Sequence, residues 1–285
     1  MTIRSILVPV LPDIAFDNQL AAAVNLARRL DARINAVFVL PDPLMVLAGI
    51  PIGAMAPGVA STMIAQNAEA QVQAIAAKAK FERWLKNEEL AASIVDRPPG
   101  TPYAQWSQRV GDISPTVARC SRLNDLVILN IPNGSIATVV AFDAAVFESG
   151  RPTLLVGKKI YPDLLRHVVI AWNGSREATR AVGASMALLH AAEQVSIFTT
   201  LDEAAIADDL DLAESLNWHG INPLYLRPQP GETSAEDALM RVIAAVNPSM
   251  LVMGAYTHSR LREAVLGGMT RHVLEHANVP LLMMH

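Results

Sequence analysis

The sequence is poor in the residues that would tie it to an oxidising compartment or to a polyanion. It has one cysteine, Cys120, so no disulfide can form within the chain. Charged residues make up only 18% of it, the net charge is −4, and Lys and Arg form no run, so we expect no nucleic acid partner. The first apolar run stops at Pro12 and Asp13, which is too short for a signal peptide and favours a cytoplasmic location.

Signatures of dedicated catalysis are also missing from the sequence. There is no nucleophile elbow, no G-x-x-x-x-G-K-[ST] loop and no pair of carboxylates framed by glycines. His272 and His276 have the i,i+4 spacing of metal ligands, but without a third ligand they are better interpreted as a surface pair. We therefore expect a binding protein and not an enzyme, with slow ATP hydrolysis as the one activity left open.

One segment carries no charge at all. Residues 43–68 read PLMVLAGIPIGAMAPGVASTMIAQNA, which approaches the length of a membrane-spanning helix, about 20 residues. Three prolines and three glycines within it argue against a span, because each proline removes a backbone donor. We expect instead an apolar loop over a groove or an interface, with a candidate lining of Met45, Leu47, Ile50 and Met55.

The chain contains two copies of one unit. RSILVPV from Arg4 aligns with RHVVIAW from Arg166 at an offset of 162 residues. Further on, DLVILN matches SMLVMG at an offset of 124, and RPTLLVG matches VPLLMMH at an offset of 128. The fall from 162 to 124 places 38 additional residues in the middle of the first copy, as an insertion over about residues 41–80.

Each copy alternates short apolar strands with helical patterns, which is typical of a parallel sheet covered by helices on both faces. The pattern predicts an α/β protein of two doubly wound domains, residues 1–157 and 165–285, with a linker over residues 157–166. The predicted strands are Ile6–Val10, Ile34–Leu40, Leu126–Leu129 and Thr153–Val156 in the first copy, and Val168–Ala171, Val195–Thr199, Leu251–Gly254 and Pro280–Met284 in the second.

The second copy has the features of an anion site at the end of its sheet. Gly254 ends a predicted strand, and Gly267 and Gly268 open the next helix, with Met269 and Thr270 in its first turn. Glycines allow backbone to approach a ligand closely, and the free N–H groups of a helix start favour an anion. Ligands of open parallel sheets bind beyond the carboxyl ends of the strands.

Three segments of the second copy resemble the universal stress protein (UspA-like) family, in a tandem form: VVIAWNGS at 168–175, LVMGA at 251–255 and LGGMTRHVLEHANVPLLM at 266–283. The resemblance implies a Rossmann-like, adenine nucleotide alpha hydrolase-like fold and a regulatory, stress-response function. It also implies the ATP-binding loop G-2x-G-9x-G-[ST]. Gly254, Thr257, Gly267 and Gly268 have that spacing, but Thr257 replaces a glycine and Gly268 replaces Ser or Thr.

These departures affect different parts of a nucleotide. The β-branched Thr257 should narrow the path of the triphosphate, and the lost hydroxyl at Gly268 should cost about one hydrogen bond, ~1 kcal/mol. Where ATP-binding members tend to place an Asp facing the adenine, this chain has Asn173. The candidate contacts for ATP, with Mg²⁺ if it is bound, are Ala171, Trp172, Asn173, Gly254, Thr257, Gly267, Gly268, Met269 and Thr270, followed by His258, Arg260 and Arg262 as possible phosphate contacts.

The same residues also fit other interpretations. The three glycines also fit close packing of strand and helix without any ligand, and Trp172 also fits the core. The first copy is the weaker site, because Leu11 and Asn130 occupy the places of Asn173 and Gly254, and Gly134 is best interpreted as part of a turn. A different hypothesis is that segment 43–68 binds an apolar ligand or a partner protein. The resemblance further implies that the last strands of the copies pair as an intramolecular pseudo-dimer; a homodimer is possible as well.

Overall fold

Strands and helices alternate along the chain in the computed structural model, which describes residues 2–40, 59–92, 102–159, 161–199, 203–229, 232, 234–255 and 268–285. The strands are β1 (Ser5–Val10), β2 (Arg33–Leu40), β3 (Ala104–Val110), β4 (Leu126–Asn130), β5 (Thr153–Val156), β6 (His167–Trp172), β7 (Gln194–Thr199), β8 (Leu224–Leu226), β9 (Met250–Gly254) and β10 (Leu281–Met284). The helices are α1 (Asp17–Leu30), α2 (Val59–Asn87), α3 (Ile113–Arg122), α4 (Ile136–Phe147), α5 (Arg176–Ala191), α6 (Glu203–Trp218), α7 (Ala235–Val246) and α8 (Gly268–His276).

The offsets between the two sequence copies also separate the observed strands. β1 and β6 have six residues each and begin 162 residues apart, at Ser5 and His167. β4 and β9 begin 124 residues apart, and β5 and β10 begin 128 residues apart. The internal repeat is therefore a repeat of structure as well as of sequence.

Contacts between Cα atoms divide the chain into two compact units. The amino-terminal unit comprises Arg4–Ile128 and Pro132–Ser149. Its strands follow the order β3-β2-β1-β4 and are parallel, with Ser5 opposite Arg33 and Ile6 opposite Leu126. Every residue of β1 is buried, as expected for a central strand covered on both faces.

The carboxyl-terminal unit comprises Gly150–His285 together with Leu129–Ile131 and the first residues of the chain. Its strands follow the order β5-β10-β9-β6-β7-β8, and all neighbours are parallel except β5 and β10. From β6 the chain proceeds outward to β7 and β8, and it then returns to the other side of β6 as β9. The strand order therefore reverses between β6 and β9, which is the position where open α/β sheets bind ligands.

Sequence patterns predict the inner strands but not β3 and β8. Both lie at the end of their strand order, and each has exposed positions, including Val110 at 59% and Leu224 at 55%. An outer strand is covered on fewer sides, so it does not need the continuous apolar run by which the inner strands are found.

Helix α2 overlaps the insertion that is predicted in the first copy over about residues 41–80. This helix has 29 residues, whereas α6, in the corresponding place of the second copy, has 16. Residues 43–58, including the candidate lining Met45, Leu47, Ile50 and Met55, lie outside the described residues. Among the helices that the structure describes, none is long and apolar enough to cross a membrane.

Candidate functional site

The candidate site begins where β6 and β9 end. The two strands are parallel, and Ala171 lies opposite Met253, so Trp172 and Gly254 are the last strand residues at the same edge of the sheet. Helix α8, which follows β9 in the chain, starts at Gly268. The residues predicted from the ends of the two strands are thus brought together by the sheet.

Asn173 and Ser175 form the turn that follows β6. Asn173 Oδ1 accepts hydrogen bonds from Ser175 N at 3.2 Å and from Ser175 Oγ at 2.7 Å. Gly174 between them has a φ of +68°, a conformation that favours glycine. Ser175 Oγ in turn accepts from Ala178 N at 3.1 Å and caps α5. The side-chain oxygen of Asn173, a candidate contact for adenine, is therefore already engaged in this turn.

Trp172 has a polar atom without a partner. Its Nε1 atom is buried, and it finds no acceptor among the residues that the structure describes. The main-chain oxygen of Trp172 accepts from Thr199 Oγ1 at 3.3 Å, which links the ends of β6 and β7. A buried N–H without an acceptor costs roughly 1–3 kcal/mol. Trp172 is only partly buried as a residue, so a ligand at this edge could reach the ring.

Gly254 is required by the packing of β9 against α5. A Cβ atom placed on it would lie 2.5 Å from Ala178 N and 2.7 Å from the carbonyl carbon of Glu177, both main-chain atoms of the first turn of α5. No side chain fits at that distance. Between the two interpretations of this glycine, close strand–helix packing is the one with direct structural support.

In the first copy, side chains occupy the edge of the sheet that corresponds to Gly254 and Asn173. Asn130 occupies the position of Gly254, and the strands β1 and β4 are approached by a side chain from α1. Gln19 is 2% exposed, and its Nε2 donates to Pro9 O at 3.2 Å and to Ile128 O at 3.0 Å. Leu11, in the place of Asn173, is buried. This edge of the first copy is filled by its own side chains.

The turn before α4 confirms the interpretation of Gly134. Its φ is +87°, and Asn133 Oδ1 accepts from Ser135 N at 3.2 Å and from Thr138 Oγ1 at 3.1 Å. The Asn-Gly-Ser sequence thus forms the same local turn here as it does before α5.

The start of α8 faces a carboxylate from a different helix. Gly268 is exposed, and a Cβ atom on it would lie 3.3 Å from Glu236 Oε1. Glu236 belongs to the first turn of α7, and its Oε2 accepts from Ser234 Oγ at 3.4 Å. A helix start attracts negative charge, so Glu236 lies where a phosphate group would otherwise be favoured.

Of the remaining predicted contacts, Thr270 is buried, at 4% exposure, and Met269 is half-buried. Thr257, Gly267, His258, Arg260 and Arg262 lie outside the described residues. Nothing in the spacing of the sequence points to Glu236, because it reaches the start of α8 from a different helix.

The two histidines of α8 interact with each other. Their rings stack at 4.5 Å between centroids, and Nδ1 of His276 lies 2.9 Å from the carbonyl oxygen of His272. Glu275 on the same helix forms an ion pair with Arg271 at 2.7 Å, which lowers the pKa of that carboxyl. The described residues contain no group of three or more His, Cys, Asp or Glu side chains that could hold a metal ion.

Comparisons with known proteins agree with this architecture. Residues 231–285 match the family model described as the universal stress protein family. The fold resembles that of a universal stress protein from Archaeoglobus fulgidus DSM 4304, with 14% identity, a TM-score of 0.67, and coverage of 98% of this chain and 95% of that one. No curated protein sequence matches the chain.

Two further solved structures cover nearly the whole chain. One is a candidate universal stress protein from Pseudomonas aeruginosa UCBPP-PA14, with 15% identity, a TM-score of 0.57, and coverage of 99% of this chain and 93% of that one. The other is a functionally unknown protein from Pseudomonas aeruginosa PAO1, with 14% identity, a TM-score of 0.55, and coverage of 99% and 92%. The resemblance to universal stress proteins is therefore confirmed in the carboxyl-terminal part, and the chain as a whole has the fold of a universal stress protein of similar length.

Proposed function

We propose that the chain is a regulatory, non-catalytic protein that binds an adenine nucleotide where β6 and β9 end. The observation that carries the proposal is Trp172, because its buried Nε1–H has no acceptor among the described residues at the point where the strand order reverses. An adenine ring that meets the edge of the indole supplies nitrogen acceptors for its N–H. The expected setting of this function is a stress response in the cytoplasm.

The phosphate half of the site is the weaker half. Glu236 places a negative charge beside Gly268, and Thr257 departs from the family loop. A Mg²⁺ ion carried by the nucleotide would offset part of the charge of Glu236. We therefore expect adenosine and AMP to bind at least as well as free ATP, and ATP with Mg²⁺ to bind better than ATP without it.

Isothermal titration with adenosine, AMP, ATP and ATP with Mg²⁺ tests this proposal. Trp172→Phe keeps an aromatic ring but removes the N–H together with the five-membered ring of the indole, so it should weaken adenosine binding by at least the equivalent of one hydrogen bond, ~1 kcal/mol or about fivefold. The matched control is Trp218→Phe, on the 84% exposed tryptophan of α6, which should leave the affinity unchanged.

Thr257→Gly restores the family loop and should raise the affinity for ATP more than that for adenosine. Absence of binding by both the wild type and Thr257→Gly, with every one of these ligands, would contradict the proposal.

The arrangement of the last strands supports a pseudo-dimer of the two repeats. β5, the last strand of the first copy, pairs antiparallel with β10, the last strand of the second, with Leu155 opposite Leu281. The pairing covers two apolar strand edges that would otherwise be exposed. The alternative function, binding of an apolar ligand or partner protein through segment 43–68, stays a prediction, because residues 43–58 lie outside the described residues.

A further inference from the structure

Helix α2 has one face fixed against the amino-terminal unit. Its inner positions are buried at 8% exposure or less: Ala70, Ala74, Phe81 and Leu85. Phe81 lies in an aromatic cluster, with ring centroids 5.4 Å from Trp106 of β3 and 5.5 Å from Trp84. The orientation of the helix about its own axis is therefore set by packing.

Polar contacts hold the same helix along α1. They join Gln73 Nε2 to Asp13 Oδ1 at 2.6 Å, Lys80 Nζ to Asp17 Oδ2 at 2.6 Å, and Arg28 to Glu88 Oε2 at 3.0 Å. Because these contacts involve both ends of α1, they fix the direction of α2. The face of α2 opposite its buried residues therefore points outward.

That outward face is apolar over two heptads. Val72 is 66% exposed and Ile75 is 70% exposed, although both are large aliphatic side chains on a charged, solvated helix. They belong to a series spaced alternately by three and four residues, which we call the outer stripe: Ala65, Ala68, Val72, Ile75 and Ala79. This is the a/d spacing of a coiled-coil seam, and it lies opposite the buried face.

The outer stripe is matched to a second copy of itself in the antiparallel direction. With the two-fold axis between Val72 and Ile75, each Val72 faces Ile75 of the second copy, and each Ala68 faces Ala79 of the second copy. The bulky pairs lie at the centre and the small pairs on either side, so the two helices meet with an even spacing. A two-fold axis requires this kind of self-complementary surface.

Charges beside the stripe select the antiparallel direction. Glu69 and Arg83 both occupy e positions, which meet each other only in an antiparallel pair, so opposite charges are brought to one flank. A parallel pair would instead place Glu82 against Glu82 of the second copy in the seam and Lys78 near Arg83 of the second copy. Like charges in these places are repulsive.

We propose that the protein forms a homodimer in which the outer stripes of two α2 helices pack antiparallel against each other. The seam uses mostly small side chains over two heptads, so its area falls in the low class of interfaces, roughly 1,200 Å² or less. We expect a dimer that dissociates on dilution.

Sedimentation equilibrium over a wide range of concentrations tests the dimer. The wild type should be a concentration-dependent dimer, and Ile75→Lys should raise the dissociation constant at least tenfold. The matched control is Ile136→Lys, on α4, where the wild-type residue is 82% exposed but lies outside the stripe. It should dissociate like the wild type. Thermal unfolding of both variants establishes that the fold is kept.

Disulfide trapping in a Cys120→Ser background tests the direction. Chains carrying Ala68→Cys should cross-link with chains carrying Ala79→Cys, and neither should cross-link with itself. A wild type that stays monomeric at all concentrations, a dimer that Ile75→Lys does not weaken, or self-cross-linking through residue 68 would each overturn the proposal.

Discussion

Gly254 lies where β9 passes the first turn of α5, with no room there for a side chain. Gly254→Ala would place a Cβ 2.5 Å from a backbone nitrogen, so strand or helix must move. We expect the free energy of unfolding to fall by about 1–3 kcal/mol, as in other overpacked cores. Urea denaturation measures this. The control is Gly183→Ala, within α5, where a Cβ meets nothing within 4 Å, and this variant should gain about 0.5–1 kcal/mol. Equal stability of Gly254→Ala and wild type would contradict the packing role.

Glu236 sets the electrostatic potential at the start of α8. Replacing it with Gln removes a negative charge near Gly268 and should strengthen the proposed ATP site by about 1 kcal/mol or more, roughly fivefold in affinity. Adenosine, which has no phosphate, should bind equally to both proteins. Isothermal titration distinguishes these outcomes.

Asp237→Asn is the matched control for Glu236→Gln, since it removes the same charge from an exposed neighbour in the same helical turn. An equal gain from both variants would mean that only net charge matters, and Glu236 would lose its specific role.

His167 couples stability to pH. It is 6% exposed, its Nε2 lies 2.9 Å from Ser196 Oγ, and burial, aided by the nearby charge of Arg166, lowers its pKa. Protons therefore bind preferentially to the unfolded chain. The stability that depends on neutral His167 is complete above the ordinary histidine pKa of about 6.5 and is lost as the pH falls below it, toward the folded-state pKa. The free energy of unfolding, measured by denaturation at several pH values between pH 8 and pH 5, should fall less steeply with falling pH for His167→Gln than for the wild type. Equal slopes for the two proteins would show that another group controls the acid sensitivity.

The same Asn-Gly-Ser sequence precedes two helices but caps only one of them through its serine side chain. Both α4 and α5 follow an Asn-Gly-Ser turn, but only Ser175 accepts a hydrogen bond from a helix N–H, that of Ala178. Ser175→Ala should cost about 1 kcal/mol of unfolding free energy, whereas Ser135→Ala should be close to neutral. Chemical denaturation of the two variants makes the comparison, and a larger loss at Ser135 would contradict it.

At the level of helices and strands, the sequence predicts what depends on neighbours along the chain. The apolar runs of β1, β4, β6 and β9 are found because inner strands are buried on both faces. β3 and β8 lack this pattern because they are the outermost strands. Helix α2 has two apolar faces, and they are distinguished only because the structure buries one of them.

At the scale of the whole molecule, the residue at which the chain is cut decides which strand edges a fragment of it exposes. A fragment of residues 165–285, the predicted second domain, lacks β5 and leaves Leu281 and Leu282 of β10 on an open edge. Exposed apolar edges promote association, so this fragment should self-associate or precipitate. A fragment of residues 150–285 retains β5 and so covers the edge of β10, but it lacks Leu129–Ile131 of the same compact unit, which lie beside β5. It should therefore be more stable than the shorter fragment and unfold more cooperatively. Sedimentation velocity and thermal unfolding test both. Similar behaviour of the two fragments would mean that β5 contributes little to the unit.

The α/β class, the internal repeat and the family resemblance follow from the sequence, because periodicity and repeat offsets are local properties of the chain. The candidate site follows only in part. The spacing brings Trp172 and Gly254 to one edge of a sheet, but it does not show that Gly254 is enforced by the backbone of α5, or that Glu236 meets the start of α8. Those facts depend on close approach between elements far apart in the sequence. Packing distances of a few ångströms between separate elements arise only when the whole fold is assembled. They decide whether a glycine is needed for the approach of a ligand or for the packing of a helix.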